Sequence, residues 1–330
     1  MQRPPADADW MAAAIALSRR GRSASAPNPN VGCLIVQPAP AEAGGKVIAR
    51  GWTQAGGRPH AEAMALAAAG DAAHGATAYV TLEPCAHASP RGPCCTDALI
   101  TAGVARVVIA AQDPDPRTDG KGIARLQEAG IEVVSSLLAA EARAAMAPWW
   151  TRATQGRPFV TLKLATSLDG CIARADGSSR WITGTRARAH GHLERASHQA
   201  ILVGRGTFDA DEPKLDVRLS GLEGRSPKKF LLTSGPAPDG WTAVASPEAI
   251  DAVDSVLVEG GAGAASAFLA ADRVDRLLLY RAPILIGGGK PALGDIGLTD
   301  LADAHDRWRL ADSRLLGSDR LDVYERAREG

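Results

Sequence analysis

HAEAMALAAAGDAAHGATAYVTLEPC, residues 60–85, places a helical pattern directly before a strand pattern. Residues 61–69 are strong helix formers without a breaker. Residues 78–82 form a short run that is typical of a buried strand. A helix followed at once by a strand is the repeating unit of an α/β fold. The two ends of the stretch also carry a histidine, a glutamate and a cysteine.

The same alternation extends through the first half of the chain. Helical spacing recurs at 10–20, 96–102 and 122–129, and apolar strand candidates lie at 31–36, 104–111 and 131–134. Strands that alternate with helices predict an α/β layer fold with a mostly parallel sheet.

A break at 148–158, PWWTRATQGRP, separates this series from a second one. The second half holds strand candidates at 159–166, 199–204, 229–233, 255–259 and 275–281. With 330 residues, the chain has room for two domains. The sequence predicts a first domain at 1–148, a linker at 149–157 and a second α/β domain at 158–330.

Composition excludes several classes of protein. The 37 basic and 37 acidic side chains cancel, so no global positive field favours nucleic acid. No apolar run is long enough for a membrane helix, and the first ten residues lack the apolar core of a secretory signal. Five cysteines are an odd number, which suggests a reducing cytoplasm and a metal site before disulfides.

The strongest chemical signal is His60-Ala-Glu62 followed by Pro-Cys dipeptides that end at Cys85 and Cys94. A zinc deaminase needs one histidine and two cysteines as ligands, an open fourth position for water, and a nearby glutamate that is not a ligand. We expect His60, Cys85 and Cys94 to bind one Zn²⁺ per chain and Glu62 to shuttle the proton. The alternative is a buried cysteine pair beside a surface histidine.

The spacing between the cysteines leaves one choice open. Eight residues separate Cys85 from Cys94, whereas the general deaminase signature has two. Cys95 competes with Cys94, because adjacent helical residues point about 100° apart and only one can face the metal. We choose Cys94 because it follows Pro93.

These motifs resemble the deaminase half of the bifunctional deaminase–reductases of riboflavin biosynthesis. The resemblance rests on NPNVG at 28–32, HAE at 60–62, LEPC at 82–85, and DPDP at 113–116 with GKG at 120–122. It implies a cytidine-deaminase-like α/β/α sandwich, and the wide cysteine spacing is typical of that family. Two departures lie in loops expected over the substrate: SPRGPC at 89–94 and Asp115 where the family usually has asparagine.

Other residues of this half carry weaker signals. Asn28, after Pro27, is a candidate to hydrogen-bond the pyrimidine or a plain turn residue. His87 is either a substrate contact or a solvated side chain. Cys33, within a strand pattern, is expected in the core.

In the second half, Lys163 lies inside the apolar strand pattern FVTLKLAT. A buried charge is costly without a partner, so this lysine either reaches solvent or serves chemistry. Gly-rich turns follow several strands, at 204–207, 259–261 and 286–289. Such turns let a backbone approach phosphate at the carboxyl ends of strands. From its residues alone, this half is an α/β domain with a nucleotide or phosphate site.

The order of these motifs is similar to the reductase half of the same enzyme family, which resembles dihydrofolate reductase in fold and uses NADPH. The resemblance extends to about residue 289. It implies that the NADPH site is lined by Ala165, Trp181, Thr207, Asp211 and Gly261. It implies that the ribosyl phosphate is held by Ser179, Arg195, Leu215, Arg218 and Glu259, with Lys163 near the reacting ribose.

The resulting prediction is a cytoplasmic, bifunctional enzyme that acts on a small pyrimidine ribosylamine phosphate, with no nucleic-acid or membrane partner. Zinc-dependent deamination precedes reduction of the ribosyl chain to ribityl by NADPH. Three alternatives stay open: a nucleic-acid base deaminase with an accessory domain, a non-catalytic zinc scaffold, and an enzyme active in one half only. The oligomeric state is open, a homo-oligomer included.

Overall fold

The chain folds into two α/β units. The structure is a computed structural model that describes residues 6–38, 44–87 and 91–328. The units comprise Met1–Gly156 and Arg157–Gly330, against the predicted domains 1–148 and 158–330. Within the described residues, no helix is long and apolar enough to cross a membrane.

The first unit is a five-stranded mixed sheet with six α-helices among its described residues. Its strands are β1 Gly32–Gln37, β2 Lys46–Trp52, β3 Thr77–Leu82, β4 Arg106–Ala111 and β5 Glu132–Val134. Its helices are α1 Asp7–Ser18, α2 Ala61–Ala69, α3 Cys95–Thr101, α4 Lys121–Glu128, α5 Ala139–Ala145 and α6 Ala147–Gln155. The strand order is β2-β1-β3-β4-β5.

Strand directions in this sheet are mixed rather than mostly parallel. β3, β4 and β5 run parallel, as the alternation predicts. β1 runs antiparallel to both β2 and β3. Only eight residues, 38–45, connect β1 to β2, fewer than the dozen or more that a parallel crossover needs, so the pair is antiparallel.

Helix α6 occupies most of the segment in which the sequence indicates a linker. Pro148 lies in its first turn, where a missing N–H leaves no hydrogen bond unmade. Gly156 ends the helix with φ of 67°, a left-handed conformation that glycine adopts without strain. The proline and the glycine are therefore the start and the stop of a helix.

The second unit is built on an eight-stranded sheet in the order β10-β9-β8-β11-β6-β12-β15-β14. Its strands are β6 Phe159–Thr166, β7 Cys171–Ala173, β8 Ala200–Gly204, β9 Lys228–Leu232, β10 Trp241–Val244, β11 Ser255–Val258, β12 Arg276–Arg281, β13 Lys290–Pro291, β14 Trp308–Leu316 and β15 Asp319–Arg326. Its helices are α7 Thr185–Ala196, α8 Arg205–Asp211 and α9 Ala262–Ala270. β7 and β13 form a separate two-stranded sheet.

The six strands from β10 to β12 are parallel, so their carboxyl ends share one edge of the sheet. β15 and β14 complete the sheet as antiparallel strands. The central strands β8 and β11 are buried on both faces, with Leu202 and Val256 fully inaccessible. Ligands bind outside the carboxyl ends of the strands in such sheets, where the glycine turns of this unit lie.

Candidate active sites

The first site forms where α2 and α3 begin. His60 is the residue that caps α2, and Glu62 lies in its first turn, only 3% exposed. Cys85 follows β3, and Cys95 is the first residue of α3. His60 Nδ1 lies 3.2 Å from Cys95 Sγ and 3.8 Å from Cys85 Sγ. The three donor atoms lie within 4.8 Å of one another.

The structure brings Cys95, rather than the predicted Cys94, beside His60 and Cys85, and the choice between the two thiols as ligand stays a prediction. The Cys94 thiol turns away and donates a hydrogen bond to the Cys85 carbonyl at 2.9 Å. Cys94 caps α3, whereas Cys95 belongs to the helix and lies one turn before the buried Leu99. That four-residue spacing to an apolar position places Cys95 on the inward face of α3.

The donor set fits a catalytic zinc ion. One imidazole nitrogen and two thiol sulfurs match the ligands of zinc deaminases and leave a fourth position for water. Hydrogen bonding from the Cys95 thiol holds the pKa of Cys85 well below its ordinary value, although burial opposes this. Burial raises the pKa of Glu62, and the neighbouring His60 offsets part of that rise.

Asn28 contacts His60 directly. Its Nδ2 lies 2.9 Å from His60 Nε2 and donates to the Gly57 carbonyl at 2.9 Å. Gly57 has φ of 85°, and a Cβ there would lie 2.8 Å from the Asn28 Cβ. A larger residue at 57 would therefore displace Asn28.

A cavity of about 330 Å³ opens beside these residues. Asn28, His60, Glu62 and Cys85 line it together with His87. The cationic side chains in the lining are Arg58, Arg91 and Arg117. A pocket that joins a metal-ligand cluster to several guanidinium groups suits a small anionic substrate.

Asp115 also lines this cavity, and its carboxylate is bound to Arg117. Arg117 holds the pKa of Asp115 at about 2, so the carboxylate is charged. The departure at position 115 therefore adds an arginine-paired carboxylate to the pocket. The other departure is the stretch SPRGPC at 89–94, and its first two residues, 89 and 90, lie outside the described residues.

Glu83, which the sequence patterns did not select, precedes Cys85 of the cluster by two residues. Its buried carboxylate accepts hydrogen bonds from four backbone N–H groups, at 2.9–3.3 Å: Asp113, Gly120, Gly122 and Ile123. The loop between β4 and α4, which supplies Asp113, Asp115 and Arg117 to the cavity, is thereby fixed. A charged residue directly after a buried strand is the signal that could have revealed it.

The second site lies at the carboxyl edge of the larger sheet. Glu259 follows β11 and accepts two hydrogen bonds from Arg195 of α7, at 2.8 and 2.9 Å. Lys163 Nζ, from the neighbouring β6, lies 3.6 Å from the same carboxylate. Burial alone would raise the pKa of Glu259, but Lys163 and Arg195 lower it to about 2. Lys163 is thus partnered, and it also lies 5.7 Å from the Tyr280 ring centre.

Two cavities meet at this ion pair. The larger one, about 840 Å³, is lined by all five residues predicted for the cofactor: Ala165, Trp181, Thr207, Asp211 and Gly261. The smaller one, about 310 Å³, is lined by Arg195, Arg218 and Glu259 of the predicted substrate residues. Lys163 and Trp181 line both.

Two predicted substrate residues lie elsewhere. Ser179 lines the larger cavity. Leu215 is 5% exposed and packs in a core cluster with Ile201 and Leu257, outside the linings of both cavities. Its side chain serves packing, so the structure does not place that side chain at the ligand site.

The smaller cavity is also lined by two residues of α7, Arg188 and His192, that the sequence patterns did not select. Arg188 stacks over the Trp181 ring at 4.8 Å, and His192 contacts the backbone of Arg218. Both lie on α7, on the side that carries Arg195. Spacings of four and three residues place Arg188, His192 and Arg195 on one helical face, which is the signal that could have found them.

Fold and sites together define a zinc-type pyrimidine deaminase joined to a nucleotide-binding reductase. Residues 4–111 match the family model of the cytidine and deoxycytidylate deaminase zinc-binding region. Residues 158–245 and 249–321 match that of the RibD C-terminal domain. The chain belongs to the RibD family, the bifunctional deaminase–reductases of riboflavin biosynthesis.

Its similarity to individual members covers nearly the whole chain. It is 38% identical to the riboflavin biosynthesis protein RibD of Escherichia coli, over 95% of this chain and 97% of that protein. It superposes on Acinetobacter baumannii RibD with a TM-score of 0.84 and 34% identity, covering 98% of this chain and 99% of the other. A similar structure is the diaminohydroxyphosphoribosylaminopyrimidine deaminase/5-amino-6-(5-phosphoribosylamino)uracil reductase of Thermotoga maritima, with a TM-score of 0.83, 32% identity, and coverage of 97% and 99%.

These findings confirm the predicted family, the two α/β domains, the bifunctional activity, and the zinc and NADPH cofactors. The roles of individual residues stay predictions.

Proposed function

We propose that this chain deaminates 2,5-diamino-6-ribosylamino-4(3H)-pyrimidinone 5′-phosphate and then reduces the ribosyl chain of the product to ribityl. The proposal is supported by the names of its relatives and by one structural observation. A single chain carries both the His60, Cys85 and Cys95 cluster and the Lys163–Glu259 pair, each in its own cavity.

In the deaminase unit, His60, Cys85 and Cys95 would hold the zinc ion. Bound zinc supplies a water whose pKa is lowered toward neutrality. The Glu62 carboxylate takes a proton from that nucleophile and delivers it to the pyrimidine ring nitrogen and to the departing ammonia. Its burial excludes bulk water from this transfer. Asn28 orients the pyrimidine edge, and the arginines of the lining attract the substrate phosphate.

In the reductase unit, NADPH supplies a hydride to C1 of the opened sugar when it is bound. Lys163 donates a hydrogen bond to the sugar ring oxygen, on which negative charge develops as its bond to C1 breaks and the ring opens. Glu259 fixes the position of the ammonium group. Arg195 commits Nε and Nη2 to Glu259 and Nη1 to the Asp216 carbonyl. Its role is therefore to hold Glu259, and Arg218 and Arg188 bind the substrate phosphate.

The test supplies the pyrimidine ribosylamine phosphate to the zinc-loaded chain, with and without NADPH. Ammonia release and NADPH oxidation are followed separately. We expect ammonia in both reactions, and NADPH oxidation only after deamination. Ammonia without any oxidation would contradict the reductase assignment. Neither signal from a folded, zinc-loaded protein would contradict the whole proposal.

We further propose a cytoplasmic enzyme without nucleic-acid partners. The five cysteines, all described, are free thiols, as a reducing compartment would keep them. An equal number of acidic and basic side chains gives no general attraction for a polyphosphate chain. A salt-dependent mobility shift with RNA would contradict the second statement.

A further inference from the structure

The larger cavity of the second unit is elongated across four neighbouring strands. Lys163 and Ala165 of β6 line one part of it, Gly260 and Gly261 after β11 line the middle, and Arg205 after β8 lies toward β9. Strands are about 4.8 Å apart, so these four span about 14 Å. The cavity therefore suits an extended ligand that crosses the strand ends.

The residues that line the cavity indicate which end of a dinucleotide lies where. This orientation rests on the proposed reductase function. The nicotinamide must lie by Lys163, where the ribose is reduced. The N-terminus of α9, at Gly261 and Ala262, lies next along the cavity and suits the diphosphate. The remaining end, at Arg205 and Leu232, is then left for the adenosine ribose.

Arg205 is the cation at that end, and the loop after β9 holds it in place. Its Nη2 donates to the Pro236 carbonyl at 2.6 Å and to the Thr233 hydroxyl at 3.2 Å. Nη1 forms no hydrogen bond with the described residues and lies 3.7 Å from a carboxylate oxygen of Asp209. Asp209 is 59% exposed, so this ion pair is weak. The guanidinium is thus positioned while one of its nitrogens stays available.

We propose that Arg205 binds the 2′-phosphate of NADPH and makes the reductase selective against NADH. A guanidinium matches the geometry of phosphate oxygens, and such charge-assisted hydrogen bonds are among the strongest in proteins. The Thr233 hydroxyl oxygen accepts hydrogen bonds from Arg205 and from the Gly235 N–H, so its own hydrogen can point to the same phosphate.

A carboxylate in the same cavity defines the competing interpretation. Asp211 also lines the cavity, and a carboxylate at the ribose 2′-hydroxyl would favour NADH instead. Arg180 lies 3.4 Å from Asp211 and offsets its charge. The geometry therefore favours phosphate recognition by Arg205 over hydroxyl recognition by Asp211.

The test measures binding by calorimetry with the full chain, independently of turnover. The ligands are NADP⁺, NAD⁺, adenosine 2′,5′-bisphosphate and AMP. Arg205→Gln should weaken the two ligands with a 2′-phosphate by about 10- to 100-fold, the range of a charge-assisted hydrogen bond. Affinity for NAD⁺ and AMP should stay unchanged. Lys228→Gln, at the exposed start of β9, is the matched control and should change none of the four.

Several results would overturn the proposal. Equal losses for AMP and the bisphosphate would make Arg205 a general contact. A selective loss in Lys290→Gln, with none in Arg205→Gln, would place the 2′-phosphate beside β13. Failure of the wild-type chain to bind either dinucleotide would contradict the reductase assignment itself. If both dinucleotides bind and Arg205→Gln leaves the ratio of NADP⁺ affinity to NAD⁺ affinity unchanged, only the role of Arg205 would be contradicted.

Discussion

Adjacent cysteines at the start of α3 provide a matched pair for testing the metal site. Cys95→Ser removes a thiol that lies 3.2 Å from His60 Nδ1. Loss of a residue that only hydrogen-bonds a metal ligand typically lowers metal affinity or activity by roughly 10- to 100-fold. We expect zinc affinity and the rate of ammonia release in Cys95→Ser to fall by more than that. Zinc content by atomic emission and ammonia by a coupled assay measure both.

Cys94→Ser is the control in the same dipeptide. Its hydroxyl can still donate to the Cys85 carbonyl, so we expect zinc and activity to be retained. The reverse result, with zinc lost from Cys94→Ser and kept by Cys95→Ser, would restore Cys94 as the ligand.

Substitution of Glu83 tests whether this residue acts by holding the loop between β4 and α4. Glu83→Gln replaces a carboxylate oxygen by an amide donor that faces backbone N–H groups. We expect the first unit to lose about 2–4 kcal/mol of unfolding free energy. The KM for the pyrimidine substrate should rise while zinc stays bound, because the loop lines the cavity and supplies none of the clustered metal donors.

Zinc content, deamination kinetics and reduction of pre-deaminated substrate separate the explanations. Asp119→Asn, at an exposed site in the same loop, should have little effect. If Glu83→Gln lost zinc in proportion to its activity, the residue would support the metal rather than the loop.

At the scale of elements, the ion pair between β6 and the end of β11 predicts a pH dependence. The pKa of Glu259 is lowered from the ordinary 4.5 to about 2. Its stabilisation is therefore full above pH 4.5 and is lost as the pH falls toward 2. The displacement corresponds to about 3 kcal/mol.

Hydrogen exchange of the β6 and β11 amides between pH 5 and pH 2 measures this effect in the full chain. Glu259→Gln should exchange faster at pH 5 and show a flatter pH dependence. The same slope in Glu259→Gln as in the wild type would mean that other carboxyl groups cause the acid sensitivity.

The helices and strands that the sequence predicted are those with a clear pattern of helix formers or apolar residues. Helix α2 and strand β6 lie at their predicted bounds, since one is an uninterrupted run of helix formers and the other is buried in the sheet. β14 gave no signal because residues 309–315 are exposed on both faces. Helix α7 is polar and rich in arginine, because much of its surface lines a cavity or faces solvent.

The residues of the candidate sites also fall into two groups, those that motifs indicate and those that depend on the fold. His60 and Cys85 lie in one cluster, and the five residues that the resemblance implies for the cofactor line one cavity, while their roles stay predictions. The choice between Cys94 and Cys95 depended on a helix start, which shifts by one residue without changing composition. A charge after a buried strand marks Glu83, but the backbone groups that it binds lie 30 to 40 residues away, and no local pattern identifies those partners.

For the whole molecule, the division into two units predicts that the two reactions can be separated by removing the metal. The clustered metal donors all lie in Met1–Gly156, and the reductase cavities lie in Arg157–Gly330. Chelation should therefore abolish ammonia release. Reduction of pre-deaminated substrate should continue at nearly its original rate.

The order of the reactions makes this prediction sharper. The zinc-depleted chain, given the diamino substrate and NADPH, should oxidise no NADPH if deamination must come first. Restored zinc should recover ammonia release and then oxidation, with a lag set by accumulation of the intermediate. Oxidation without ammonia would mean that the reductase accepts the diamino compound and that the order is reversed. Loss of both activities on chelation, with the fold intact by circular dichroism, would mean that the zinc site supports both units.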